Sequence, residues 1–407
     1  MPKSWTGTIL ALFAVAAGLL FAVVLGVHTY VTATNTPLHS DPLEVPSATA
    51  WTPPRGWAHA VERARQIVRT GLLDGNLPGL SVAVGVDGDL VWAEGFGWAD
   101  LENRVPVAPH LRFRIGTAST VLTSAAVGLL LEENRLHLDE KIQTYVPEFP
   151  TKRWPVTLRQ LMGHVAGVRN DGGDEGPLLA QRCEGPVEAL QAFADRPLLF
   201  EPGTGYRYSS YGWILVSAAV EAAADEPFLA FMRRRVFEPL GMADTTADST
   251  AEEIPDRVTS YFPRYGADPR YGLHLMREID YSCYAGSSVF LSTPSDLVRF
   301  GMAVNSGKLL QPSTVETLQT AQRLLSGGET GYGLGWDIET VSLAGAPART
   351  VGHDGTSLGG TVASLLTWPE RGIVVAVMSN ISYADTFPLA SRIAEAFAAQ
   401  PKTPAAE

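Results

Sequence analysis

Strand-forming patterns stand at both ends of this 407-residue chain, and the helical patterns between them leave few ways to pair those strands. Near the start, residues 80–86 alternate apolar and small side chains, Asp87-Gly88 supplies a tight hairpin turn, and residues 90–97 continue as a partner strand. Near the end, residues 332–339, 348–353, 360–368 and 373–379 read as strands, the last two joined by the turn Pro369-Glu370-Arg371-Gly372. The stretch between is mostly α, with helical apolar spacing at 117–131, 158–162, 186–194 and 212–223. A first helix is expected at 57–73, where Ala60, Val61, Ala64, Ile67, Val68 and Leu72 fall at helical spacing, and a last one at 387–399. The first and last strands then have to pair in one antiparallel sheet flanked by helices, with the all-helical region inserted between them. The expected class is α+β.

Residues 7–27 form an uncharged apolar run, long enough to cross a hydrocarbon core of about 30 Å as one transmembrane helix. A cleaved signal peptide has a shorter apolar core, roughly 7–15 residues, followed by small residues at a cleavage site. Val31-Thr32-Ala33 matches such a site weakly, so an uncleaved anchor is expected. Lys3 precedes the run and the next Lys or Arg is Arg55, which places residues 1–6 in the cytoplasm and the domain on the exported side, periplasmic or extracellular. Residues 28–55, rich in Thr, Pro and Ser and without periodic apolar spacing, read as a linker that stands the domain off the membrane. The domain itself is expected over 56–400, with a short tail at 401–407. The chain's net charge of -12 argues against nucleic acid as a partner. The only cysteines, Cys183 and Cys283, either pair in a disulfide or remain as two buried thiols.

Three short stretches carry candidate chemistry. Phe113-Arg114-Ile115-Gly116-Thr117-Ala118-Ser119-Thr120 runs into the apolar helix, and the hydroxyls of Thr117 and Thr120, three residues apart, fall on one helix face. Tyr206-Arg207-Tyr208-Ser209-Ser210-Tyr211-Gly212 opens the helix at 212–223, and Val351-Gly352-His353-Asp354-Gly355-Thr356 lies on a strand. In this order and spacing they resemble the three motifs of the serine beta-lactamases and penicillin-binding proteins, the family of D-alanyl-D-alanine carboxypeptidases and class C beta-lactamases, along residues 57–400. The Tyr-Ser-Ser-Tyr-Gly form is similar to a mitochondrial branch of beta-lactamase-like proteases. Leu161-Met162-Gly163-His164-Val165-Ala166-Gly167 and Ala285-Gly286-Ser287-Ser288-Val289-Phe290-Leu291-Ser292-Thr293 resemble two further family segments.

The resemblance implies the beta-lactamase/DD-peptidase fold and assigns positions. Thr117 stands where the family has the nucleophilic Ser of S-x-x-K, and Thr120 where it has the Lys. That amine helps deprotonate the Ser, and a threonine hydroxyl has no basic form near neutral pH. Thr117 remains a conceivable nucleophile whose extra methyl restricts its rotamer, or it simply caps the helix. Tyr208 and Ser210 match Tyr-x-Asn, the Tyr being a proton shuttle in the family. His353, Asp354 and Gly355 match Lys/His-Thr/Ser-Gly, where the Gly lets substrate backbone come close, and the N–H groups of Thr117 and Thr356 would form the oxyanion hole. Asp354 in a hydroxyl's place is expected to disfavour anionic substrates, or is a solvated turn residue. No cofactor or metal is implied, because His164 has no second ligand at metal-binding spacing. Residues 355–359 also spell G-x-S-x-G, but a nucleophile elbow precedes a helix and a strand follows here.

Three functions are therefore weighed. The first is a membrane-anchored pseudoenzyme with impaired or absent acyl transfer, whose cleft still takes a peptide or a small ester or amide. The second is a working hydrolase of esterase or D-amino-acid peptidase type, using Thr117 with Tyr208 and His353. The third is a structural or assembly module.

Overall fold

A computed structural model describes residues 5–35, 37–170, 177–251, 254–357 and 359–400. The expected tail at 401–407 and the first four residues of the expected N-terminal segment lie outside the described residues.

The strands from the two ends do meet. β1 (Ser47–Thr49), β2 (Gly79–Val86), β3 (Asp89–Asp100), β4 (Asp337–Leu343), β5 (Ala346–Ser357), β6 (Thr361–Trp368) and β7 (Ile373–Ser379) form one antiparallel sheet in the order β1-β3-β2-β7-β6-β5-β4. The joint between the ends is β2 against β7, with Val86 opposite Ile373 and Leu80 opposite Ser379. Alternation along these strands sends side chains to two separate cores. Val82, Val84, Val375 and Val377 pack under α2 (Ala58–Asp74) and α6 (Thr386–Ala398). Ala83, Leu365, Ala376 and Met378 face α5 (Pro294–Asn305) and the helical region. In that region α3 (Ser119–Glu132) and α4 (Ser210–Ala224) are apolar nearly all round, as helices enclosed on every side must be, and they pack on one another.

Three local expectations change. The strand at 332–339 begins only at Asp337, since Tyr332-Gly333-Leu334-Gly335-Trp336 forms a loop in which Gly335 takes φ 97°. The helix at 186–194 is a short turn of helix, Pro186–Ala189, followed by the 3₁₀ turn Leu190–Ala192. The stretch expected as a linker, residues 28–55, makes contacts with the domain. The apolar helix α1 continues through Trp5–Thr34, Asn35 donates its side-chain amide to the Arg270 carbonyl, and the Leu38 N–H donates to Asn76 Oδ1. Val45 is buried, and β1 adds an edge strand to β3. Pairing to an existing sheet edge needs only backbone groups, so a Thr/Pro/Ser-rich stretch can be ordered without an apolar period.

Cys183 and Cys283 are bonded to each other with their Cα atoms 4.8 Å apart. The bond ties the stretch before Pro186–Ala189 to the 3₁₀ turn Ser282–Tyr284, and the Cys183 N–H donates to Ser282 Oγ beside it.

Candidate active site

β5 crosses the start of α3, and the candidate residues gather there. Thr117 lies on the 3₁₀ turn Gly116–Ala118 and is 7% exposed. It does not cap α3, which begins without a side-chain cap; its Oγ1 donates instead to the carbonyl of Asp354 on β5 at 3.2 Å. Thr120 is fully buried, and its Oγ1 donates to the Thr117 carbonyl at 2.8 Å, a back-bond within the first turn. Each hydroxyl proton at the two S-x-x-K positions is thus directed at a backbone carbonyl.

Gly355 fixes this geometry. A Cβ there would fall 1.8 Å from the Ile115 carbonyl oxygen and 2.7 Å from the Ala118 nitrogen. The room expected for a substrate backbone is filled by the protein's own turn, so the glycine serves first to let β5 lie against the Thr117 turn. Thr356 continues β5 opposite Val362.

Strand alternation divides the next two residues. His353 shares the face of Val351 and points into the helical-region side, where it is buried. Asp354 stands directly opposite Ser364 of β6, whose hydroxyl meets Thr386 Oγ1 at the start of α6. Its side chain is therefore on the far face of the sheet from Thr117, and only its carbonyl reaches the cleft. This corrects the expectation that its carboxylate would screen substrates. Burial pushes that carboxyl up to about 7, with Asp337, Glu339 and Asp385 adding like charge and a bond from Ser364 opposing the rise.

His353 Nδ1 lies 2.7 Å from the Asp354 carbonyl, which can only accept, so Nδ1 carries the proton. Nε2 then accepts from the hydroxyl of Tyr332 at 3.0 Å. Tyr332 Oη also meets the Thr120 side chain, and burial, reinforced by Tyr208, Asp337 and Tyr206, holds the phenol well above its usual range. Hydrogen bonds thus run from Tyr332 to His353 and from His353 to the Asp354 carbonyl, which Thr117 also meets.

Tyr208 completes the other wall. Its ring centroid is 4.1 Å from that of His164 and 6.3 Å from that of His353. His164, held at φ 59°, accepts the Ser209 N–H on Nδ1 at 3.1 Å and sits 4.7 Å from the Tyr332 ring. Burial pushes its imidazole well below the usual range, with His353 adding to the effect, so it is neutral. Ser209 caps α4 through the Gly212 N–H, whereas Ser210 Oγ is buried with no hydrogen-bond partner among the described residues. Arg114 is taken up behind the site by Asp248 at 2.6 Å and the Ile279 carbonyl at 3.0 Å. Among the described residues, no three His, Cys, Asp or Glu side chains are grouped so as to hold a metal ion.

The structure thus brings Thr117, Thr120, Tyr208 and His353 together with the backbone of Asp354, Gly355 and Thr356. It adds Tyr332 and His164, which sequence reasoning left outside the chemistry. The signal for Tyr332 was present in Gly333 and Gly335, two glycines that interrupt a supposed strand.

An antiparallel sheet joined from the chain's two ends, an inserted helical region and a hydroxyl at the start of the buried helix beside a sheet strand define a beta-lactamase-type protein. The Beta-lactamase family model matches residues 64–400, and the chain belongs to that family. It is 28% identical to the mitochondrial serine beta-lactamase-like protein LACTB of Mus musculus, over 84% of this chain and 81% of that one. It is 26% identical to penicillin-binding protein 4* of Bacillus subtilis, over 66% and 60%. Among solved structures, the octameric penicillin-binding protein homologue from Pyrococcus abyssi superposes with a TM-score of 0.69 at 23% identity, covering 81% of this chain and 76% of that one. The D-amino acid amidase from Ochrobactrum anthropi gives 0.68 at 22%, covering 83% and 98%.

Proposed function

We propose that this is a membrane-anchored beta-lactamase-family protein that has lost acyl transfer and keeps its cleft as a binding surface for a peptide or a small ester or amide. In this reading Thr117 and Thr120 stand at the nucleophile and base positions, α1 is the anchor, and the domain lies on the exported side. The carrying observation is the direction of two hydroxyl protons: Thr117 donates to the Asp354 carbonyl and Thr120 to the Thr117 carbonyl. A nucleophile needs its proton aimed at a base, and a lysine amine is the group missing here. The bond to Tyr332 takes up the His353 ring nitrogen that a hydrolase would leave free to act as base.

The test follows hydrolysis of a chromogenic ester and a chromogenic cephalosporin, and intact mass after penicillin and after a fluorophosphonate. The native chain is compared with Thr117→Ser/Thr120→Lys, made with and without Tyr332→Phe because a lysine at 120 would reach the same phenol. A silent native chain beside an acylated reversion is the expected result. Turnover, or adduct mass on Thr117, in the native chain would instead establish the working hydrolase with Tyr208 and His353 as proton carriers. If neither form binds or reacts, the assembly-module reading takes over.

A further inference from the structure

The point where α1 ends is where the domain begins, and the surface around that point has a particular chemistry. α1 is 30 residues long, about 45 Å at ~1.5 Å per residue, which matches a bilayer of about 40–45 Å with its headgroups. The last residues of α1 therefore lie at the outer limit of the headgroup layer. They are fastened to a hairpin, Tyr261–Pro263 paired with Leu273–Leu275. The Arg264 guanidinium lies 3.5 Å from Thr34 Oγ1, and the Asn35 side chain donates to the Arg270 carbonyl. Just beyond, the Leu38 N–H is bonded to Asn76 of the domain.

The hairpin tip carries Arg264 stacked over Tyr265 at 5.0 Å, while Arg270, beside Tyr271, is paired with Asp268 at 2.6 Å. Leu275 is 69% exposed on its outer strand, and Tyr383 packs edge-on to Phe262. Tyrosine, with an apolar body and a polar tip, is the residue that settles at a membrane–water boundary, and a guanidinium such as that of Arg264 pairs with phosphate. We infer that this hairpin seats on the phospholipid headgroup layer, so that the domain rests on the membrane in one orientation. The inference rests on α1 being a membrane span.

The full chain, reconstituted in vesicles of phosphatidylcholine and phosphatidylglycerol, tests it. Both native cysteines are in the disulfide, so an introduced thiol is the single labelling site. Fluorophores are placed by Val15→Cys in α1, by Tyr265→Cys at the tip, and by Leu325→Cys on an exposed loop bonded to Gly203. The expected result is quenching of the Val15 label by mid-chain spin-labelled lipid, and several-fold stronger quenching at 265 than at 325 by headgroup-labelled lipid. Equal quenching at 265 and 325 with the Val15 label still quenched overturns the seating alone. A Val15 label beyond reach of the mid-chain probe overturns the span and the seating together. On the unsubstituted chain, backbone hydrogen exchange over 261–275 is expected to slow on transfer from detergent micelles to vesicles. Unchanged exchange there would also overturn the inference.

Discussion

At Gly355 a single methyl group decides whether strand and helix can meet. Gly355→Ala puts a Cβ 1.8 Å from the Ile115 oxygen, which forces β5 off the Thr117 turn, and a loss of about 3 kcal/mol or more is expected in urea unfolding. Asp354 carries the opposite kind of strain, electrostatic instead of steric. Its carboxyl rises from 3.8 to about 7 on folding, so between about pH 4 and pH 7 the folded chain holds a proton that the unfolded chain releases. Stability contributed by this group is complete below that window and falls as pH rises through it, by at most about 1.4 kcal/mol per pH unit. Asp354→Asn is expected to raise the melting temperature at pH 8 more than at pH 5; an equal shift at both would rule out the carboxyl as the source. At this scale the sequence picked out residues that the fold gathers in one place, and it misread the side chain of Asp354 and the space at Gly355. The period of two along a strand already required His353 and Asp354 to face opposite ways, so the error about Asp354 was avoidable. The filling of Gly355's space by Ile115 was not, because nothing local to either stretch records how closely they approach.

The elements were legible wherever apolar period was strong, which is why α2, α6 and the β2–β3 hairpin fall within a few residues of expectation. β1 was missed because three edge residues have no period to show, and the Tyr332 loop was misread because its tyrosine, leucine and tryptophan alternate as a strand's would. β1 bears directly on how a soluble domain should be cut. A chain beginning at residue 38 keeps Val45 and β1, whereas one beginning at 51 exposes the edge of β3, and the shorter chain is expected to melt several degrees lower and to aggregate more readily. The Cys183–Cys283 bond is the other element-scale device. It closes a loop with a sequence separation of 100, so Cys183→Ser/Cys283→Ser should cost up to about 4–5 kcal/mol in the chain-entropy account. Thermal melts of that variant and of the reduced native chain should agree.

For the whole molecule, the order of strands in the sheet dictates an order of events in time. β2 finds its second neighbour only in β7, so Val86 waits for Ile373. At a synthesis rate of about 5–20 residues per second the interval is roughly a quarter of a minute to a minute. Throughout it the β2–β3 hairpin has left the ribosome with one edge unpaired and its valines uncovered. Such long-range closure folds slowly, and an open edge invites pairing with other chains. The domain is thus most open to mispairing at the β2 edge before β7 arrives. Its biogenesis, more than its finished stability, is the stage at which destabilising substitutions in β2 or β7 will be felt first.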